Sequence, residues 1–324
     1  MRAFCVGLAA LVYFSAASAH AEFFYVDSDN SILKVDSSGN VSVFAYIPMQ
    51  LSGLALDSSG NLYISSGNTI VKFDPNGNRS IFADTDLNNP SGLAFDSSGN
   101  LYVANAGDNT IARFDANGNG SIFANSGLYG PLNLAFDPSG DLYVVNNGPT
   151  PTSPYGSVEK FDPSGNGTLF ADGPRGPLGI AVDTNGDLFV GMMVPDAIGE
   201  WDPNGNYTLF CFGGPPDPQE DPNLWIDPSG LAFDKSGNLF VVNYDWGTIG
   251  EFETNGNYAV VASGLGYPLS IVVDDIPEPS TWSLLAFGAF TLLSVCRVRR
   301  VFARTAGDLV KSAGTRQTAR RTTR

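Results

Sequence analysis

Between Gly92 and Ala124 the chain passes through four short apolar segments, Leu93–Phe95, Leu101–Ala104, Ile111–Phe114 and Ser121–Ala124. Two pentapeptides of turn character, Asp96-Ser-Ser-Gly-Asn100 and Asp115-Ala-Asn-Gly-Asn119, follow the first and third segments. In each, the Gly can take the positive φ of a bulged hairpin, and the leading Asp can bond the turn's own backbone. Segments of this length, rich in Leu, Val, Ile, Phe and Tyr and bounded by Gly and Asn, read as antiparallel strands. One such sheet leaves its faces uncovered, so the unit requires copies of itself.

The copies are present. The first segment recurs as Gly53-Leu-Ala-Leu-Asp57, Asn133-Leu-Ala-Phe-Asp137, Gly179-Ile-Ala-Val-Asp183, Gly230-Leu-Ala-Phe-Asp234 and Ser270-Ile-Val-Val-Asp274. The second recurs as Phe24-Tyr-Val26, Leu62-Tyr-Ile64, Leu142-Tyr-Val144, Leu188-Phe-Val190 and Leu239-Phe-Val241. The third recurs near Leu33, Val71, Glu159, Gly199 and Gly250, and the fourth ends in Phe44-Ala45, Phe82-Ala83, Phe170-Ala171, Phe210-Cys211 and Val261-Ala262. Each type therefore occurs six times, at spacings of roughly 40–50 residues, the period of propeller blades. The chain enters at a second-type strand and leaves after a first-type strand, so its last strand supplies what its first blade lacks. Pairing the two ends closes the ring and leaves no raw sheet edge. These features predict an all-β, six-bladed β-propeller of four-stranded antiparallel blades over residues 22–275.

The repeats resemble NHL-type repeats, and the ring is similar to the superfamily that holds gluconolactonase-like lactonases and virginiamycin-B-lyase-like enzymes. The motif specifies the fold and leaves the activity open.

The propeller is flanked by segments of different character. Residues 1–21 read as a signal peptide: Arg2, an apolar stretch from Ala3 to Phe14, then small residues with cleavage sites after Ala19 or Ala21. His20, the only histidine, lies in that segment, so a chain beginning at Glu22 carries none. Ser-His-Asp and Cys-His catalysis and His-rich zinc sites are thereby excluded within the exported chain. The resemblance to the lyases implies a histidine base, which this chain lacks. Only Glu278 and Asp308 of the 33 acidic residues lie outside 22–276, against ten of the 17 Lys and Arg, which leaves the propeller 31 acidic residues and 7 basic ones. A domain this acidic repels nucleic acid and anionic lipid and attracts cations or basic partners. Cys211 has no exported cysteine to pair with and reads as a small core residue.

The aspartates raise the question of calcium. Asp74-Pro-Asn-Gly-Asn78, Asp183-Thr-Asn-Gly-Asp187 and Asp202-Pro-Asn-Gly-Asn206 resemble fragments of a calcium loop but lack its spaced carboxylates and closing Glu. They read as hairpin chemistry, with weak Ca²⁺ binding at most and no other cofactor.

In a propeller the loops between second and third strands open on the same face as those that join one blade to the next. The uniform Asp-x-x-Gly-Asn turns fall on the opposite face. The irregular insertions, Asn147–Ser157, Gly191–Ala197, Phe212–Asp227 and Asn243–Thr248, all fall on the first. Variable loops on a rigid scaffold are where binding resides. The candidate binding residues on that face are Asn105, Asn133, Asn146, Tyr155, Met192, Trp225, Asn243, Tyr244, Asp245 and Trp246, with Met193 beside them. Aromatics with neighbouring amides and carboxylates suit a sugar or an extended peptide. The lactonase-like resemblance implies a divalent metal in the central channel, held by a Glu near the start of the ring with Asn and Asp. Here the first blade offers Asp27 and Ser28, and the equivalent channel positions are Ser66, Asn105, Asn146, Met192 and Asn243, a poor metal set.

Residues 276–300 combine Pro277-Glu278-Pro279, the uncharged run Thr281–Cys296, and Arg297, Arg299 and Arg300. This closely resembles a PEP-CTERM sorting signal of Gram-negative bacteria. The resemblance implies recognition by an exosortase-type enzyme, a transient transmembrane helix, and cleavage near Pro277–Pro279. Residues 301–324 are basic and read as a disordered tail. The expected function is a binding module at the cell surface or in the extracellular matrix, exported through the inner membrane, with a glycan or protein partner and no nucleic acid. The alternative is a metal-dependent lactonase or hydrolase.

Overall fold

The computed structural model describes residues 21–47, 51–150, 154–194, 196–212 and 228–276, and Ala21–Ile276 form one compact unit. The expected sorting segment from Pro277 onward, with Glu278, Pro279, Arg297, Arg299 and Arg300, lies outside the described residues, as do residues 1–20 of the expected signal.

In chain order the strands are β1 (Ala21–Ser28), β2 (Ser31–Asp36) and β3 (Val41–Tyr46), then five sets of four. These are β4 (Leu51–Leu56), β5 (Leu62–Ser66), β6 (Thr69–Phe73) and β7 (Arg79–Ala83); and β8 (Pro90–Phe95), β9 (Leu101–Asn105), β10 (Thr110–Phe114) and β11 (Gly120–Ala124). Next come β12 (Pro131–Phe136), β13 (Leu142–Asn146), β14 (Ser157–Phe161) and β15 (Gly167–Asp172); then β16 (Arg175–Val182), β17 (Leu188–Val194), β18 (Asp196–Trp201) and β19 (Tyr207–Phe212). Last are β20 (Pro228–Phe233), β21 (Leu239–Asn243), β22 (Thr248–Phe252), β23 (Tyr258–Ala262) and a final strand β24 (Pro268–Ile276).

They form six four-stranded antiparallel sheets, one of which has the order β24-β1-β2-β3. That sheet is blade I, and blades II to VI follow in sequence. The first strands of the blades, β4, β8, β12, β16, β20 and β24, touch one another in turn around a full circle. The protein is a six-bladed propeller closed by its own ends.

The closure has its own device. The β1–β24 register runs from Glu22 opposite Asp275 to Val26 opposite Ile271, then slips so that Ser28 faces Pro268. Asp27 sits at the slip, 2% exposed, and accepts hydrogen bonds from the Leu269 N–H at 3.0 Å and the Ser270 N–H at 2.5 Å. Burial pushes this carboxyl above its ordinary value, against the hydrogen bonds that hold it down.

The turns are what the sequence predicts. In the Asp96 turn, Oδ1 accepts from the Ser98 and Asn100 N–H groups at 2.9 and 2.8 Å, Oδ2 accepts from the Asn100 side chain at 2.8 Å, and Gly99 has φ +83°. The recurring Phe-Ala ending also has a structural reason. Between third and fourth strands every blade has a register shift at the same place, so that Phe82, for example, is an extra residue between Ile81 (opposite Val71) and Ala83 (opposite Ile70). A bulge re-aims the side chain it carries. Phe82 meets Tyr63 of its own blade at 4.9 Å and Phe114 of the next at 6.3 Å; Phe123 repeats the pattern with Tyr102 at 4.9 Å and Phe161 at 6.3 Å. Such edge-on aromatic pairs add about 1 kcal/mol each beyond area burial and stitch one blade to the next.

Glycine at the start of the first strands serves close approach. A Cβ on Gly92 would lie 2.6 Å from the Asn133 Cα and 2.7 Å from the Leu132 carbonyl oxygen. One on Gly53 would lie 2.3 Å from the Ser91 carbonyl oxygen, so the inner strands converge as only a bare backbone allows.

Candidate functional site

The face that carries the blade-to-blade connections is where the sequence places its candidates, and the structure divides them. Asn105 and Asn146 are fully buried, and their amides hold loops in place. Asn105 accepts from the Asn88 N–H at 3.2 Å and donates to the Asp86 carbonyl at 3.0 Å and the Thr110 hydroxyl at 3.1 Å. Asn146 repeats this one blade on, accepting from the Tyr129 N–H at 3.1 Å and donating to the Gly127 carbonyl and the Ser157 hydroxyl at 3.1 Å each. Asn243 is buried at the same strand-ending position in blade VI.

Met192 is 6% exposed and packs in the core between blades IV and V with Val145, Val190 and Ala197. It is not a rim residue, because Gly191–Ala197 is not an irregular insertion: β17 runs on to Val194 and pairs with both β16 and β18. The pleat alternates, so Met192 turns inward while Met193 faces the other way and is 40% exposed. Val194, on Met192's side of the strand, is 54% exposed because it ends β17 beyond the packed core. Blade V therefore rises above the ring as an extension of its own sheet. Trp225 lies outside the described residues.

The rim that remains has two clusters. Tyr155, 44% exposed in the loop that enters blade IV's third strand, lies under the Arg175 guanidinium of blade V at 4.1 Å from ring centroid to guanidinium carbon. The Gly176 N–H donates to the Tyr155 carbonyl at 3.2 Å, and Gly176, with φ +58°, leaves room for Met193 to lie across it. The second cluster joins blades VI and I: Tyr244 and Tyr267 meet at 5.4 Å, with Asp245 exposed and Trp246 half-buried beside them. Arg175, Val194 and Tyr267 were not among the sequence candidates. Tyr267, 56% exposed, stands just before Pro268, which opens β24 as Pro90, Pro131 and Pro228 open β8, β12 and β20. Asn133 is half-buried at the mouth of the central channel.

The channel corrects a further expectation. Its cavity of ≈ 320 Å³ is lined by inner-strand residues, chiefly Leu54, Leu93, Leu134, Ile180, Leu231 and Ile271, with Asn133 and Ser270 the polar side chains among them. Ser66, Asn105, Asn146, Met192 and Asn243 do not line it, because second strands lie one position outward from the axis.

Charge is distributed unequally between the faces. On the turn face, Lys72 pairs with Asp57 at 3.9 Å and lies over Tyr63, and Lys160 bridges Asp137 at 3.3 Å and Asp141 at 3.0 Å over Tyr143. Lys34 lies over Phe23, Arg113 is register partner to Tyr102, Arg79 opens β7 at its hairpin, and Lys235 is in the turn after β20. In blades V and VI the Tyr and cation are replaced together, by Phe189 with Glu200 and by Phe240 with Glu251. Burial and the nearby Glu253 and Asp234 push Glu251 above its ordinary value. Arg175 is the one propeller cation on the other face.

An NHL repeat model matches residues 87–114, the span of β8 to β10. No curated protein matches the chain in sequence. Among solved structures, a chain of a nidogen/laminin complex is similar over 79% of this chain and 99% of its own, at 15% identity and a TM-score of 0.66. A gluconolactonase from Xanthomonas campestris is similar over 82% and 91% at 17% identity and TM-score 0.58. A catalytically inactive virginiamycin B lyase from Staphylococcus aureus with quinupristin is similar over 78% and 86% at 16% identity and TM-score 0.55. At these identities the likenesses establish the fold.

The divalent metal implied by the gluconolactonase likeness does not fit the residues present. Among the described residues the cavity lining holds no carboxylate or imidazole, and no three His, Cys, Asp or Glu side chains converge. A hard divalent cation needs several oxygen ligands with charge among them.

Proposed function

We propose that the chain is an exported propeller that binds a partner at the cell surface or in the extracellular matrix through the rim over blades IV, V, VI and I. The observation that carries this reading is the pair of rim aromatic clusters, exposed Tyr155 with Arg175 and half-buried Tyr244 with exposed Tyr267, standing on a rigid ring. Interaction hot spots concentrate in Tyr, Trp and Arg of this kind. The ligand is a peptide or a glycan. In the same reading residues 1–21 direct export, 276–300 are a PEP-CTERM signal cut by an exosortase-type enzyme, and 301–324 are a disordered tail. A short uncharged run followed by arginines supports a transient membrane stop with its basic end in the cytoplasm.

The test is a combined glycan and peptide array probed with the full-length protein and with a Tyr155→Ala, Tyr244→Ala, Tyr267→Ala triple variant. Selective binding lost in the variant supports the reading, and identical binding by both proteins refutes it. Processing is tested by Glu278→Ala: a membrane-held precursor is expected, and unchanged release would sink the sorting assignment. The competing reading, a metal-dependent lactonase, draws on the gluconolactonase likeness. It requires one tightly held divalent ion per chain and a drop in thermal midpoint on chelation.

A further inference from the structure

Arg175 is exposed, lies flat on Tyr155 and makes no ion pair with any described carboxylate, whereas Lys72 and Lys160 bridge aspartates on the turn face. Apolar side chains flank it: Val194 is its register partner across β16 and β17, and Met193 lies over Gly176 next to it, with Asp196 opposite Met193 across β17 and β18. Both sides of the stacked pair are fixed, because the Gly176 N–H bonds the Tyr155 carbonyl and the Gly173 N–H bonds the Gly156 carbonyl, each at 3.2 Å. Stacking leaves the in-plane N–H fork of a guanidinium free for a carboxylate and removes much of the rotamer entropy that docking would otherwise cost.

We propose that Arg175 and Tyr155, with Met193 and Val194, form a subsite that reads one carboxylate beside an aliphatic side chain in a bound peptide. This rests on the binding-module reading above and narrows its ligand. A peptide suits the ledge better than a glycan for three physical reasons. The flanking side chains are aliphatic. One face of the Tyr155 ring is already covered by the guanidinium, which removes a surface for sugar stacking. The neighbouring amide of Asn146, which a sugar's hydroxyls would need, is engaged inside the fold. The acidic propeller also repels a polyuronate, yet admits a chain with a single carboxylate among neutral or basic residues.

The experiment uses the full-length protein and fluorescence anisotropy with two pools of labelled seven-residue peptides, randomised except for a central Leu-Glu or Leu-Gln. A glucuronate-containing oligosaccharide is the third probe. The Glu pool is expected to bind about tenfold more tightly than the Gln pool. Arg175→Gln should erase that difference while lowering the thermal midpoint by no more than about 3 °C, and Arg175→Lys should restore only part of it, because an ammonium has no planar fork. Equal binding of the two pools by the unaltered protein overturns the subsite while leaving the rim reading intact, as does full Glu-pool preference in Arg175→Gln. Binding of the oligosaccharide in place of the peptides overturns the peptide assignment. No binding of any probe overturns the subsite, and the array then decides the binding module by itself.

Discussion

The guanidinium carbon of Arg175 lies 4.1 Å from the centroid of the Tyr155 ring, and the two residues belong to different blades, one at the start of β16 and the other in the loop before β14. An exposed cation–aromatic pair contributes only about 0.5–1 kcal/mol. Tyr155→Ala should therefore lower the free energy of urea unfolding by no more than about 1 kcal/mol. A loss several times larger would make the pair part of the core and count against a rim free to bind.

Asp27 holds the ring shut at the one place where the β1–β24 register slips. Removing its carboxylate orphans one buried N–H group, that of Ser270, and one part-buried, that of Leu269, and Asp27→Ala should cost about 2–3 kcal/mol. Amide hydrogen exchange should show protection falling first in β24 around Leu269–Ile271. Uniform loss across all blades would mean that Asp27 supports the domain generally and is no latch.

Two glycines separate crowding from backbone conformation. Gly92 abuts the neighbouring inner strand, whereas Gly77 has φ +82° and nothing within 4 Å of the site of a Cβ. Gly92→Ala should cost about 3 kcal/mol through overpacking, and Gly77→Ala about 1 kcal/mol through the left-handed backbone alone. Chemical denaturation of both variants decides the comparison, and the reverse order would refute the close-approach account of the inner ring.

Glu159 occupies the position that Leu33, Val71 and Ala112 fill in other blades, and its Oε2 is buried with no hydrogen-bond partner among the described residues. Burial pushes its carboxyl above the ordinary value. A raised folded-state value means that its contribution is favourable below the unfolded pKa of about 4.3 and is lost as pH rises through the folded value. Glu159→Gln should accordingly gain about 1 kcal/mol of stability near pH 7 and nothing near pH 4. Equal effects at both pH values would show that the glutamate finds a partner.

The turn aspartates have the opposite sign. Asp36, Asp74, Asp115, Asp162 and Asp202 are each held below the ordinary carboxylate value by the side chain of the Asn four residues on, then by backbone N–H groups. Their contribution is present above about pH 4 and is lost as pH falls through the lower folded values. The thermal midpoint should drop as pH is lowered below about 4, and Asp74→Asn should shrink that drop. An unchanged profile in the variant would show that the Asp74 carboxylate stabilises nothing.

The sequence by itself determined the ring. Strand alternation and Asp-x-x-Gly-Asn turns act over a few residues, so six repeats and their offset ends are enough to specify blade number and closure. What lies on the rim was decided by contacts between segments far apart in the chain. Asn105 and Asn243 look alike as strand-ending amides, but whether such an amide meets a ligand depends on a loop that returns to it from 17 residues upstream, as Asn88 does to Asn105. Met192 and Met193 are neighbours in sequence, and only the extension of β17 past the blade sets which is buried. Arg175 was one isolated cation in the sequence. The packing of blade V against blade IV laid it on Tyr155, because that juxtaposition is a property of the closed ring and of no local segment.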